Sequence, residues 1–378
     1  MPKIMMLAGE ASGDMHGANL ARALQELDPQ VELIGMGSSL MAAAGVKLAF
    51  DVTALSTVGF AEAIKSIKTL KRIIQQLADL MDQEKPDAMV LIDYPGFNME
   101  VAKVAKEKGI PLVYYFSPTA WAWGRGRAKK VASLVTKVAS VLPFEADVYR
   151  EAGADVEFVG HPLLDIVKPT LSKEEFYQQH ALDPEKPIIG LLPGSRRQEI
   201  DSLLPALLEA AQIIKKRFPE VQFLLPLAHT VSRQEIEERV KAKGLEIKVI
   251  EGQAYELMTV SDIIVVASGT ATLEAACLGA PMVIVYRVSF STWLLGKMLL
   301  KIPHIGMPNI IAGKEIVPEL IQHQATGLKI SEKAIDLLEN PEKLAQIKRE
   351  LQIVREKLGG EGAVKRAAQL VLDVGKVK

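Results

Sequence analysis

The sequence contains the same local pattern twice, about half a chain apart. In each copy an apolar strand runs into a glycine-containing turn that opens a helix, first at Ile4–Gly17 and again at Ile188–Arg197. Backbone amides at such a turn, together with the positive end of the following helix, suit phosphate or another anion. Two copies predict two open α/β domains facing each other, with ligands at the carboxyl ends of both sheets. Such a pair suits a donor and an acceptor, which favours a transferase over a one-ligand module.

Strand-like runs alternate with helical patterns along the whole chain, which predicts parallel sheets with right-handed crossovers. The polar stretch from Asp165 to Pro187 is the best candidate for a linker. We therefore expect two Rossmann-like domains, at 1–168 and 186–340. The remaining residues, 341–378, have the pattern of two amphipathic helices, which either pack back on the N-terminal domain or are exchanged in a dimer.

Composition excludes several classes of protein. The chain has 378 residues, a net charge of −1 and one cysteine, Cys277. A general polyanion-binding role therefore has no support, and an intrachain disulfide or a cysteine-based zinc site is excluded. The apolar N-terminus meets Glu10 and Asp14 at once, so it does not have the pattern of a signal peptide. Without an apolar run of about 18–20 residues, a cytoplasmic protein, soluble or bound to a membrane surface, is expected.

Four polar side chains follow the first predicted strand. Glu10 stands where a dinucleotide-binding turn would place its pyrophosphate, and an acid there would repel that group. A loop bearing Glu10, Ser12, Asp14 and His16, before a helix predicted over residues 17–27, is better suited to a polyhydroxylated substrate. The alternative is an ordinary turn in which Ser12 or Asp14 caps the helix.

A second candidate group follows the strand that ends at Ile92. Asp93 stands at its carboxyl end, before a turn forced by Tyr94–Gly96. A general base would sit at this point of an α/β sheet, although Asp93 could also simply cap the next helix. Ser117–Arg127, with two tryptophans among basic groups, suits a sugar face, a phosphate, a lipid headgroup or interdomain packing. His161, a lone histidine before proline, is more typical of a structural residue.

The second half carries the stronger signal for a diphosphate. Gly194, Ser195 and Arg196 offer turn amides, a hydroxyl and a guanidinium to one anion. The small residues Ser268, Gly269 and Thr270 would let a ligand approach the backbone after another strand. Glu274 falls on the first turns of the following helix, within reach of a ribose diol. Asn309 is an amide side chain in apolar surroundings.

One segment has the composition of a membrane-surface helix. Residues 290–302 are strongly apolar, contain lysines and no acidic residue, and are too short to span a bilayer. A core helix with snorkelling lysines is the alternative. A second candidate is the helix after Gly59. The side chains expected to contact acyl chains are Trp293, Leu294, Leu295 and Met298.

Six of these segments, in this order and over nearly the whole chain, resemble the lipid-A-disaccharide synthases. They are Ala8–Asp14, Asp93–Asn98, Val159–Pro162, Leu192–Arg196, Ser268–Glu274 and Pro308–Asn309. The resemblance implies an inverting GT-B glycosyltransferase with two Rossmann-like domains around a cleft, the first for the acceptor and the second for the donor. It would join UDP-2,3-diacylglucosamine to 2,3-diacylglucosamine 1-phosphate (lipid X) through a β-1,6 link and release UDP.

The same resemblance assigns roles to particular residues. Asp93 would be the general base, Arg196, Glu274 and Asn309 would contact the donor, and the acceptor contacts would be Glu10, Ser12, Gly13 and Asp14. No cofactor, metal or nucleic acid is implied. The implied partners are the inner-membrane surface and a second copy of the chain, in a dimer that could exchange its C-terminal region. The alternatives are a UDP-GlcNAc 2-epimerase, a peptidoglycan GlcNAc transferase, and a non-catalytic sugar-nucleotide-binding protein.

Overall fold

The computed structural model describes residues 1–51, 67–118, 125–288 and 303–376. Contacts divide the chain into two units. Unit 1 is Met1–Asp165 with Leu358–Lys378, and unit 2 is Ile166–Lys357. The second boundary falls inside the C-terminal region, so its last helix belongs with the N-terminal residues.

Unit 1 contains a seven-stranded parallel sheet in the order β3-β2-β1-β4-β5-β6-β7. Its central strand β4 is the run Ala88–Ile92, every residue of which is buried, as expected for a parallel sheet covered on both faces. The edge strand β3, which the sequence pattern did not predict, has alternating burial. The strands are β1 (Lys3–Ala8), β2 (Glu32–Gly37), β3 (Lys47–Asp51), β4 (Ala88–Ile92), β5 (Leu112–Tyr115), β6 (Lys137–Ser140) and β7 (Val156–Phe158).

Helices connect these strands and cover the sheet. They are α1 (Ala11–Leu27), α2 (Ser39–Ala43), α3 (Ile67–Glu84), α4 (Pro95–Glu107), α5 (Arg125–Ala132) and α6 (Pro143–Glu151), followed by the short α7 (Leu163–Ile166) at the unit boundary. The sequence pattern placed the start of the first helix near residue 17, which is wrong. The bond from the Asp14 N–H to the Glu10 carbonyl, 2.9 Å long, already belongs to the helix. Ser12, Gly13 and Asp14 therefore lie on its first turn and not in a loop.

Unit 2 repeats the arrangement with six parallel strands in the order β10-β9-β8-β11-β12-β13. The central strands β8 and β11 are again fully buried runs. The strands are β8 (Ile188–Leu192), β9 (Gln222–Pro226), β10 (Ile247–Ile250), β11 (Ile263–Ala267), β12 (Met282–Tyr286) and β13 (Glu319–Ile321). The helices are α8 (Lys173–Gln179), α9 (Arg197–Arg217), α10 (Arg233–Lys241), α11 (Ala254–Val260), α12 (Thr270–Cys277), α13 (Met307–Ala312), α14 (Gly327–Glu339) and α15 (Pro341–Lys357).

The last helix, α16 (Ala363–Lys376), packs on α1 and β4 of unit 1. Three contacts fix the chain that leads into it. The His161 N–H donates to the Leu358 carbonyl at 2.8 Å, and the Val364 N–H donates to the Asp165 carboxylate at 3.1 Å. The Arg366 guanidinium donates to the Val159 carbonyl at 2.8 Å. The C-terminal helix is therefore part of the N-terminal core.

Each sheet has one topological switch point, where the strand order reverses. It lies between β1 and β4 in unit 1 and between β8 and β11 in unit 2. Ligands of open α/β sheets bind outside the carboxyl ends of the strands at this point. Both switch points are flanked by the segments that the sequence singled out.

Candidate active site at two topological switch points

Asp93 directly follows β4, at the switch point of unit 1. Its Oδ1 accepts a hydrogen bond from the Tyr94 N–H at 2.9 Å. Its Oδ2 lies 3.4 Å from the Ser12 hydroxyl, on the first turn of the helix that follows β1. Oδ1 is held by a backbone donor, whereas Oδ2 accepts a longer hydrogen bond from the exposed Ser12 side chain, so Oδ2 is better placed to accept an incoming hydroxyl group.

The residues expected to contact an acceptor divide into two groups. Glu10 and Ser12 are exposed beside Asp93, and Gly13 lies in the first turn of α1, packed against Ala8. Asp14 is 4% exposed, and its carboxylate accepts the backbone N–H groups of Ser38, Leu40 and Met41 at 2.6, 3.0 and 3.2 Å. These bonds cap α2, so the Asp14 carboxylate already has partners within the fold.

Gly9 is required by the way the turn after β4 packs. A Cβ at Gly9 would lie 2.2 Å from Cδ1 of Tyr94, so only glycine lets that ring cover the end of β1. The φ angle of Tyr94 is 45°, in the left-handed region, and Tyr94 precedes Pro95 at the start of α4. The two strand ends at the switch point are thus locked against each other.

Two buried histidines lie near the same edge of the sheet, the edge formed by the carboxyl ends of its strands. His16 stacks on Phe116, with ring centroids 3.8 Å apart, and the Phe116 ring meets His161 edge-on at 6.0 Å. Burial lowers the pKa of His16 to about 4 and that of His161 to about 3. Both rings are therefore neutral at pH 7. Phe116, whose φ is 54°, carried no signal in the sequence.

Glu145, near the N-terminus of α6, is the other group that the sequence did not reveal. It is 3% exposed, and its Oε2 lies 3.5 Å from the Ser140 hydroxyl. Burial raises the pKa of Glu145 to about 8, because the hydrogen bonds that oppose the shift are weaker than the desolvation. Unit 1 thus holds several titratable groups in their neutral form at this edge.

Unit 2 has a cavity of about 450 Å³ at its switch point. Seven of the eight residues expected to contact the donor line it, and they come from the ends of β8 and β11. They are Gly194, Ser195, Arg196, Ser268, Gly269, Thr270 and Glu274. The structure therefore brings together two segments about 75 residues apart in the sequence.

The amides after β8 are not open to a ligand in this structure. Oε2 of Glu199 accepts the N–H groups of Ser195 and Arg196, at 3.1 and 3.2 Å. Its Oε1 accepts from the Arg196 guanidinium at 2.9 Å, while the Arg196 side chain stays 83% exposed. The sequence predicted a diphosphate at these amides, but a carboxylate of the chain already occupies them and would repel an anion.

The N-terminus of α12, on the β11 side of the cavity, is better suited to an anion. Gly269 and Thr270 are exposed at the N-terminus of α12, and no described side chain caps this helix. The positive end of the helix dipole points at this side of the cavity. The Ser268 hydroxyl lies beside it and donates to the Ile305 carbonyl at 3.3 Å.

Glu274 lies one turn further along α12. The Tyr255 hydroxyl donates to its Oε1 at 3.4 Å, leaving Oε2 for another donor. Burial raises the pKa of Glu274, and burial also raises the pKa of Tyr255, to about 12. A half-buried carboxylate beside a helix N-terminus is suited to accept hydrogen bonds from a diol.

Asn309 does not line the cavity. Its Nδ2 donates to the Val317 carbonyl and to Glu319 Oε1, and its Oδ1 accepts the N–H groups of Ile316 and Val317. The amide nitrogen and the amide oxygen of Asn309 therefore both have partners within the fold, which does not favour the expected contact with the donor.

The remaining predicted positions lie outside the described residues. These are Trp121 and Trp123 of the basic segment, and the expected acyl contacts Trp293, Leu294, Leu295 and Met298. Among the residues that are described, no helix is both long and apolar enough to cross a membrane. In the same part of the chain, no three His, Cys, Asp or Glu side chains are placed to hold a metal ion.

Solved structures with this architecture define the fold. The chain superposes on UDP-GlcNAc 2-epimerase from Neisseria meningitidis bound to UDP-GlcNAc, with a TM-score of 0.64, 16% identity and 98% of both chains covered. A glycosyltransferase from Rickettsia africae gives a TM-score of 0.62 at 13% identity, with 100% of this chain and 99% of that chain covered. These likenesses establish the GT-B fold of two Rossmann-like sheets.

Sequence comparison then distinguishes among the members of that fold. The model of the family described as Lipid-A-disaccharide synthetase matches residues 4–374. The lipid-A-disaccharide synthases of Geobacter metallireducens and Geobacter sulfurreducens are 44% and 43% identical over 372 residues, 98% of this chain and 97% of each relative. The chain belongs to the lipid-A-disaccharide synthase family and is a glycosyltransferase of lipid A biosynthesis.

Proposed function

We propose that Asp93 is the general base of the transfer and that the unit 2 cavity binds the UDP part of the donor. The acceptor would be lipid X and the donor UDP-2,3-diacylglucosamine. The observation that carries this proposal is the position of Asp93 at the unit 1 switch point, where Oδ2 accepts a hydrogen bond of 3.4 Å from the exposed Ser12 hydroxyl. Oδ2 accepts the proton of the attacking 6-hydroxyl as its oxygen bonds to the anomeric carbon and UDP leaves. A single displacement of this kind inverts the anomeric centre.

The donor would be held mainly from the side of β11. The exposed backbone at Gly269 and Thr270 and the dipole of α12 suit the diphosphate, where negative charge grows as UDP departs. Glu274 suits the ribose diol, since its carboxylate lines the cavity. Arg196 contributes positive charge from the β8 side, although its pairing with Glu199 reduces what it offers.

The acceptor would lie over the first turn of α1. Glu10 and Ser12 are the exposed polar side chains next to Asp93, and they suit the hydroxyl groups of a sugar. Gly13 allows the helix to pack closely on Ala8, which keeps this turn near the strand ends.

A turnover assay tests the activity directly. Incubation with UDP-2,3-diacylglucosamine and lipid X should release UDP, and leaving out lipid X should abolish the release. Replacing the donor with UDP-GlcNAc separates the competing possibilities. If the chain epimerised that nucleotide, or bound it without any turnover of the acylated pair, the proposed reaction would be wrong.

Association with the inner membrane from the cytoplasmic side is a further proposal, based on the composition of residues 290–302 and on the diacylated substrates. Each Lys or Arg near an anionic surface contributes roughly 1 kcal/mol, screened by salt. Anionic vesicles should therefore bind the chain at low salt and release it at high salt. Changing Trp293, Leu294 and Leu295 to Ser should weaken binding, while loss of thermal stability with unchanged vesicle binding would place the segment in a core instead.

A homodimer also remains a prediction from the family resemblance. The molar mass from light scattering, measured over a range of protein concentrations, tests it. A mass of 41.2 kDa at all concentrations would contradict it.

A further inference from the structure

The backbone around Asp93 adopts an unfavourable conformation. Asp93 has a φ of 52° and Tyr94 has a φ of 45°, so two consecutive residues with side chains lie in the left-handed region. Aspartate visits this region more readily than most residues, but a bulky tyrosine rarely does. Such a conformation persists only where the surrounding structure holds it in place.

Two buried side chains hold it. The Asn98 amide donates to the Asp93 carbonyl at 2.7 Å and to the Ile92 carbonyl at 3.2 Å. The Tyr114 hydroxyl donates to the same Asp93 carbonyl at 3.0 Å. Asn98 and Tyr114 are each 0% exposed, and they come from different elements, α4 and β5. The Asp93 carbonyl is thus fixed from two directions.

Fixing this carbonyl also fixes the carboxylate. The peptide group that joins Asp93 to Tyr94 is planar, so holding its oxygen also sets the direction of the Tyr94 N–H. That N–H donates to Asp93 Oδ1 at 2.9 Å, which limits rotation of the carboxylate. Oδ2 is consequently kept on the side of Ser12.

We propose that Asn98 and Tyr114 are positioning residues that direct Oδ2 of Asp93 toward the acceptor hydroxyl by holding the Asp93 carbonyl. The inference rests on the proposed role of Asp93 as the base. Because both side chains are fully buried, they act through Asp93 and do not touch a substrate. Their loss should lower kcat and leave the KM for the donor unchanged.

A double-mutant cycle tests the proposal. Tyr114→Phe removes one bond to the Asp93 carbonyl and keeps the ring, and kcat should fall about 10-fold because small misplacements of reacting groups are costly. In an Asp93→Asn background the same substitution should cause no further fall. Asparagine is the right replacement at 93, because it also tolerates the left-handed region. Asn98→Ser gives a second cycle should Tyr114→Phe fail to fold.

Thr136→Val is the matched control for lost stability. The Thr136 hydroxyl accepts the Leu112 N–H at 3.0 Å, at the opposite end of β5 from the site. Thr136→Val should lower the thermal midpoint as Tyr114→Phe does, whereas its kcat should stay at the level of the unaltered chain.

The outcomes separate the inference from the function on which it rests. Full activity of Asp93→Asn would overturn the base assignment itself. An inactive Asp93→Asn together with unchanged kcat in Tyr114→Phe and Asn98→Ser would overturn only the positioning roles. Equal loss of kcat in both backgrounds would also overturn them, because the side chains would then act independently of the carboxylate.

Discussion

The two sheets carry their candidate groups at the same topological position but hold them in different ways. At the unit 1 edge, one backbone donor and two buried side chains hold Asp93 by hydrogen bonds. His16, His161 and Glu145 are buried in the same unit. At the unit 2 edge, the groups line an open cavity, and Arg196 is largely exposed. The groups of unit 1 are thus held by hydrogen bonds or buried, while those of unit 2 are accessible from the cavity.

This difference fits two kinds of chemistry. A proton acceptor must be held in one direction, because the geometry of proton transfer is strict. A nucleotide diphosphate instead needs room, exposed amides and positive potential, which helix N-termini supply. We therefore expect changes in unit 1 to alter kcat and the pH dependence of stability, and changes in unit 2 to alter the affinity for UDP and its salt dependence.

The largest effect should come from Asp93→Asn. The change keeps size and backbone conformation but removes the proton acceptor, so kcat should fall by about 10²–10⁴-fold, or roughly 3–5 kcal/mol of barrier. UDP affinity, measured by calorimetry, should stay near that of the unaltered chain. A parallel loss of UDP binding would show that Asp93 also supports the nucleotide site or the fold, so that catalysis and UDP binding are not divided between the two units.

Glu145→Gln should change how stability depends on pH. The pKa of Glu145 is raised to about 8, so the folded protein holds a proton that the unfolded chain releases above about pH 4.5. Stability should therefore fall as pH rises between these values, by up to roughly 1.4 kcal/mol per pH unit, and Gln should remove this contribution. Thermal midpoints from pH 5 to 9 measure it.

Glu157→Gln, at an exposed carboxylate on β7, is the control for this experiment. It should leave the pH profile of the thermal midpoint as it is in the unaltered chain. Parallel profiles for Glu145→Gln and the unaltered chain would mean that Glu145 is not kept neutral in the fold.

Glu274→Ala should weaken UDP binding by about 1.5–3 kcal/mol, the usual cost of losing a charged hydrogen-bond partner. Arg196→Ala should cost less, because the side chain is 83% exposed and already paired with Glu199. Calorimetry with UDP measures both. Arg197→Ala is the matched control, since Arg197 pairs with Asp201 and Glu235 and does not line the cavity. Unchanged affinity in both test variants would move the nucleotide out of this cavity.

The smallest effect should be a gain. Glu199→Gln keeps an acceptor for the Ser195 and Arg196 amides but removes a negative charge beside the cavity. UDP affinity should rise by less than about 1 kcal/mol, and the gain should shrink in high salt. A loss of affinity would show that Glu199 supports the bound diphosphate, for example by holding Arg196 in place.

Much of the fold could be predicted because its signals are local. The apolar runs ending at Ile92 and Leu192 predicted strands, and the structure has strands there. The sequence pattern did not predict the edge strands β3 and β13, which are only partly buried. Glycine turns and helix periodicity likewise predicted most helices, though not the start of α1.

The site was predictable in part. Asp93 and the residues lining the unit 2 cavity follow strand ends, which a sequence reveals. The backbone partners of Asp14 lie 24 to 27 positions along the chain, so residue type alone could not show that this carboxylate was occupied. Glu199 instead binds its close neighbours Ser195 and Arg196. Phe116 and Glu145 carried no signal because their surroundings come from separate elements. Phe116 packs against His16 and His161, and Glu145 is buried by the fold.

The sequence by itself determined two strand–turn–helix halves, their parallel sheets and the family, because apolar periodicity, turn residues and the order of motifs are properties of neighbours along the chain. Tertiary structure decided which strands meet at the switch points and which carboxylates are already bonded. It also decided that residues 358–376 pack with unit 1. There Asp165 accepts a hydrogen bond from the Val364 N–H, and Arg366 donates to the Val159 carbonyl. These features depend on contacts between residues up to about 200 positions apart, which no local pattern encodes.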